Sequence, residues 1–171
     1  MSPPKIPIIL HKPENSPYFF EGALFRMSNN TTFKNKIAIL PCTGIGQVVG
    51  TIARQAAYRI CEDLRPRETI LCCLPALVKG VQEDIDMIEA CLVIVIEGCG
   101  ERCATYSLEL RHGTAAAVIS VPDIIKGNNL KIKRTARRRL TQPELNAVEL
   151  VAQAALAEID RLTTSTPKEQ K

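Results

Sequence analysis

Short runs of β-forming residues recur along the middle of this chain, and each gap between them is long enough to hold a helix. That alternation narrows the fold more than any other feature. Lys36 to Leu40 reads as a first strand, Thr69 to Leu74 as a second, Cys91 to Ile96 as a third and Ala116 to Val121 as a fourth. From about Gly46 to Leu64, Val49, Ile52, Ala53, Ala56, Ile60 and Leu64 recur at helical spacing, and Pro66 stops the helix. Further helices are predicted from about Val81 to Ala90 and from about Glu101 to Arg111, the latter ended by Gly113. Strands joined by helices cross over in the right-handed sense and pair in parallel.

The expected fold is therefore α/β. It is a three-layer, mainly parallel four-stranded sheet of the Rossmann or flavodoxin type, with an N-terminal arm and a C-terminal helix. The unbroken apolar run Cys91 to Ile96 suits a central strand buried on both faces. Aromatic residues are only 4% of the chain, and all four Phe precede residue 34, so the core must be built from aliphatic side chains. A chain of 171 residues holds one such domain with room for an extension. Residues 1–34, broken by Pro3, Pro4, Pro7, Pro13 and Pro17, read as the arm. Their aromatic patch, Tyr18 to Phe25, suits a segment lying over an apolar face or an arm that binds a partner. The α/β domain is expected over 35–127, a basic connector over 128–142, a helix over 143–162 and a frayed tail over 163–171. Thr141-Gln142-Pro143-Glu144 is a capping-box start for that helix. The longest apolar run, Ala90 to Ile96, is too short to span a bilayer, and no basic patch with a long apolar run opens the chain. A soluble, cytoplasmic protein is expected, with no membrane partner.

Charge is distributed unevenly. From Lys126 onward there are ten Lys or Arg against five Asp or Glu, while the first 125 residues hold twelve against thirteen. The excess concentrates in Lys131, Lys133, Arg134, Arg137, Arg138 and Arg139. This stretch reads first as a solvated connector and next as a dock for an acidic protein partner. Nucleic acid is disfavoured because no aromatic residue interleaves the cations. A homo-oligomer stays open.

The seven cysteines are an odd number, which disfavours a disulfide framework. Cys42 follows the first strand, Cys72 and Cys73 end the second, Cys99 follows the third, and Cys103 falls in the first turn of the next helix. Ligands of open parallel sheets bind outside the carboxyl ends of the strands. Three successive strand ends thus bring thiols to the ligand edge. Four thiolates suit tetrahedral zinc, and the same set could hold an iron–sulfur cluster. Thiol chemistry at helix starts, with a lowered Cys42 or Cys103 pKa, and plain core packing are the other readings. Adjacent residues of a strand face opposite ways, so the residues alone leave Cys72 and Cys73 both open as ligands. Cys61 and Cys91 read as core.

Glu97 could orient a donor beside the thiols or make a turn contact, and Arg102 could add positive potential. His112 reads as a charge at a helix end, with a fifth ligand as its alternative. Arg54 and Gln55 read as structural, and His11 is assigned nothing. Gly44-x-Gly46-x-x-x-Gly50 has one residue too many for a dinucleotide fingerprint, and no acidic residue ends the second strand.

These segments together resemble the DGC domain family over residues 36–125. The resemblance rests on Cys42-Thr43-Gly44-Ile45-Gly46, the stretch Gly50 to Tyr58, Cys73-Leu74-Pro75-Ala76-Leu77, and Glu97-Gly98-Cys99 followed by Glu101-Arg102-Cys103-Ala104-Thr105. It implies zinc chelated by Cys42, Cys73, Cys99 and Cys103. It brings no established reaction. The family's naming motif has Asp where this chain has Glu97. Three readings follow: a four-cysteine zinc site that is structural, sensory or metal- and thiol-handling; a thiol-based sulfur-transfer, redox or iron–sulfur handling protein; or an interaction module that docks a partner through the arm and the basic segment.

Overall fold

A computed structural model describes Phe33, residues 35–134, Arg137 and residues 139–165. Its sheet contains β1 (Ile37–Pro41), β2 (Thr69–Leu71), β3 (Leu92–Glu97) and β4 (Ala115–Ser120). All neighbours pair in parallel, in the order β2-β1-β3-β4. The helices are α1 (Val48–Tyr58), continued by a π-helical turn (Arg59–Leu64), α2 (Leu74–Lys79), α3 (Gln82–Ala90), α4 (Cys103–Glu109), α5 (Val121–Gly127) and α6 (Gln142–Ser165).

β1 and β3 are central and covered on both faces, which is why their sequences are apolar throughout. Alternate side chains serve opposite layers. Ile37, Ile39, Ile94 and Ile96 pack with α1, α5 and α6, while Ala38, Leu40, Val93 and Val95 pack with α2, α3 and α4. This is the three-layer α/β fold that the strand–helix alternation predicts. Phe33 belongs to the second layer at 2% exposure. The rest of the expected arm, residues 1–32 and 34, lies outside the described residues, and so does its aromatic patch.

Several expected boundaries move. β2 stops at Leu71, not Leu74, because Pro75 starts α2 and Gly80, at φ 83°, closes it. Val121 opens α5 instead of ending β4, since the Ser120 hydroxyl accepts from the Asp123 N–H at 3.4 Å and Pro122 fits the first turn. The first long helix starts at Val48. Beyond Tyr58 it widens, with the Arg65 N–H donating five residues back to the Ile60 carbonyl at 2.8 Å. Cys91 caps α3 rather than beginning β3, and α4 starts at Cys103 rather than Glu101. α6 passes Leu162 to Ser165, the Thr163 and Thr164 hydroxyls donating to the Ile159 and Asp160 carbonyls at 2.9 Å. Residues 166–171 of the expected tail lie outside the described residues.

The stretch between α5 and α6 is not simply solvated. Leu130, Ile132 and Leu140 pack against the α1–α5–α6 layer. Of the capping box only the glutamate half forms: buried Glu144 accepts from the Thr141 N–H at 2.9 Å and from its hydroxyl, and its other oxygen takes the Lys133 N–H at 2.8 Å. Among the described residues no helix is long and apolar enough to cross a membrane.

Candidate functional site

β1 and β3 are neighbours, yet α1 leaves β1 toward one layer and α4 leaves β3 toward the other. A crevice opens where connections part in this way, at the carboxyl edge of a doubly wound sheet. Cys42 follows β1 at this edge. Its N–H extends the ladder by donating to the Ile96 carbonyl at 2.8 Å, and the residue is only 5% exposed. The β3–α4 turn packs directly on it. A Cβ added to Gly98 would stand 3.1 Å from the Cys42 sulfur and 3.2 Å from the Gly50 Cα, so any other residue here would push the Cys42 sulfur or the Gly50 backbone aside by a few tenths of an ångström. Cys99 is half-buried on that turn and Cys103 is exposed at the start of α4.

Cys103 lies close enough to Cys42 and Cys99 to feel their charge. Burial first, then the Cys42 and Cys99 thiols, then Glu97 and Glu101, push the Cys103 thiol above its ordinary value. The lowering expected at a helix start does not occur there. Burial and the neighbouring thiols outweigh it, and Glu97, a buried carboxylate, already takes the first-turn donors of α4, with Thr105 N–H at 2.6 Å and Ala104 N–H at 3.4 Å. Glu97 therefore spends its oxygens on the helix start, the turn contact that was one of its two readings. Arg102 precedes α4 in the left-handed region, at φ 52°, with its side chain exposed.

Arg54 holds the Cys42 loop from behind. Its guanidinium donates to the Thr43 carbonyl and to the Thr51 hydroxyl, each at 3.1 Å. The residue is structural, as read, but what it supports is the thiol loop.

At the end of β2 the two adjacent thiols separate. Cys72 is buried in the second layer, and Cys73 is exposed at the entrance to α2. Asp84 of α3 fixes this corner, one oxygen accepting from the Cys73 N–H at 2.8 Å and from the Cys72 thiol at 3.5 Å. Burial first, then the Asp84 charge, push the Cys72 thiol far up and keep it protonated. No local pattern marks Asp84 in the sequence, because its partners lie eleven and twelve residues away on another element. Asp84→Ala leaves the buried thiol and the amide without an acceptor. It is expected to cost about 1–3 kcal/mol in thermal denaturation, with Asp84→Asn recovering most of the loss through its remaining oxygen.

The other candidates lie elsewhere. His112 lies beyond the far end of α4, past Glu109, in the left-handed region at φ 61°, whereas Cys103 opens that helix. Cys61 packs against the first layer and Cys91 against the second, where its thiol donates to the Phe33 carbonyl. Lys131, Lys133, Arg134, Arg137 and Arg139 are exposed, and Arg138 lies outside the described residues. Among the described residues no three His, Cys, Asp or Glu side chains gather at metal-ligating separations. Cys73 shares the carboxyl edge with Cys42, Cys99 and Cys103, because β2 pairs with β1.

The fold and this edge define a doubly wound α/β protein with thiol-bearing loops at its topological switch point. The chain belongs to the DGC domain family, whose model matches residues 38–144. The match continues past the 36–125 span of the sequence resemblance, through α5 and the basic stretch to the start of α6. No curated protein matches the chain. No solved structure matches it.

Proposed function

We propose that the carboxyl edge is a metal site in which Cys42, Cys73, Cys99 and Cys103 hold zinc, and that the site handles metal or thiols. The carrying observation is that the Cys42 sulfur packs on the Gly98 turn that leads into Cys99, with Cys103 near enough to feel the charge of both thiols across the switch point. Four soft sulfur donors suit zinc, and zinc with thiolates needs no further ligand to close a tetrahedron. Cys73 is preferred over Cys72, whose thiol is turned into the core and held by Asp84. Cys73 and Cys103 are exposed while Cys42 is buried, so the site has one anchored side and one that solvent or a partner can reach. That asymmetry favours exchange of metal or a thiol over a sealed structural role. The seven free thiols suit a reducing compartment such as the cytoplasm.

The test is the metal content and absorption spectrum of protein purified without oxygen. About one zinc per chain is expected, lost on Cys99→Ser. Iron with a visible charge-transfer band would replace zinc by a cluster. Absence of both metals, with all the edge thiols open to alkylation, would overturn the proposal.

A further inference from the structure

We propose that the stretch between α5 and α6 is a docking surface for an acidic protein segment, which it delivers to the thiol edge. From Leu130 the chain alternates. Leu130 and Ile132 turn into the first layer, while Lys131 and Lys133 turn out, followed by exposed Arg134, Arg137 and Arg139. None of these five cations has an ion pair among the described residues. Glu144, which the stretch packs on, is buried and spends its oxygens on the Lys133 and Thr141 N–H groups and the Thr141 hydroxyl, not on a cation. The backbone is thus held while the positive side chains stay available.

The stretch is also latched to the site. The Thr51 hydroxyl donates to the Arg137 carbonyl at 3.2 Å and accepts from Arg54, which holds the Thr43 carbonyl next to Cys42. A ligand lying on the cations therefore arrives beside the Cys42 loop. An acidic polypeptide fits better than nucleic acid, because residues 107–171 contain no Phe, Tyr or Trp on which a base could stack. The docking itself does not depend on the metal reading. Only what passes across the edge does.

The test uses the full chain and a fluorescein-labelled peptide of about twelve alternating Asp and Glu residues, with a single-stranded oligonucleotide of equal charge for comparison. Fluorescence anisotropy is expected to show the peptide binding at low salt, more tightly than the oligonucleotide. The affinity should fall at least about tenfold when salt is raised past the screening range. Lys131→Glu, Lys133→Glu and Arg134→Glu together should weaken binding by a similar factor while the melting temperature holds. A benzophenone placed mid-peptide should cross-link to residues 42–54 as well as to 131–139. Tighter binding of the oligonucleotide, or unchanged peptide affinity in the folded triple variant, would overturn the proposal. Cross-links that miss residues 42–54 would overturn the delivery to the thiols. Running the titration on metal-loaded and chelator-treated protein separates a failure here from a failure of the zinc assignment.

Discussion

Gly50→Ala is expected to lower stability by about 3 kcal/mol or more, roughly a 10 °C fall in melting temperature, and to empty the edge of any metal it holds. A Cβ at this position would stand 2.2 Å from the Gly44 carbonyl oxygen, which is backbone and has no alternative rotamer. The β1–α1 loop must move to relieve the contact, and Cys42 moves with it. Gly46→Ala is the control. An added Cβ there meets nothing within 4 Å, so the change should stay within about 0.5 kcal/mol. Calorimetry of the two variants, with metal analysis of each, separates close approach from a general intolerance of the loop. Equal stability of the two would show that the loop yields freely.

Glu144→Ala is expected to cost on the order of 2–4 kcal/mol, because the Lys133 and Thr141 backbone donors and the Thr141 hydroxyl lose their common acceptor. The same group sets a pH dependence. Burial pushes its carboxyl up, but hydrogen bonds from the Thr141 hydroxyl and from the Lys133, Thr141 and Glu144 N–H groups outweigh that and hold it below its ordinary value. Its stabilisation is fully present above the unfolded glutamate value of about 4.3 and is lost as pH falls through the lower folded value. Denaturation followed at successive pH values should show that acid loss in the parent chain and a smaller one in Glu144→Gln. Identical pH profiles would remove Glu144 from the account.

How much of this was legible beforehand depended on whether a signal was local. The central strands declared themselves, since Ile37 to Leu40 and Val93 to Ile96 are apolar at every position and only burial on both faces explains that. The end of β2 did not. Leu71-Cys72-Cys73-Leu74 is an apolar run whose period cannot separate strand from helix, and the deciding features, Pro75 and Gly80, follow it. α5 carried a readable start in Ser120-Val121-Pro122-Asp123 that the longer apolar run into Val121 obscured. At the site, the strand ends placed Cys42, Cys99 and Cys103 on one edge without any structure. The supports of that edge were not visible, because Asp84 and Arg54 act through contacts that only tertiary packing creates. The alternation of Lys131 and Lys133 with Ile132 was present in the sequence, but charge dominated its reading.

The parallel sheet also bears on the order of events when the chain matures. Each pairing joins residues separated by a whole helix, so the sheet closes late relative to its local elements. Until β1 and β3 lie side by side, Cys42 is more than fifty residues from Cys99 along an open chain, and no preformed chelate of the four exists. A metal held by the proposed edge would therefore bind only the closed domain, and its binding free energy would add to the stability of that closed state.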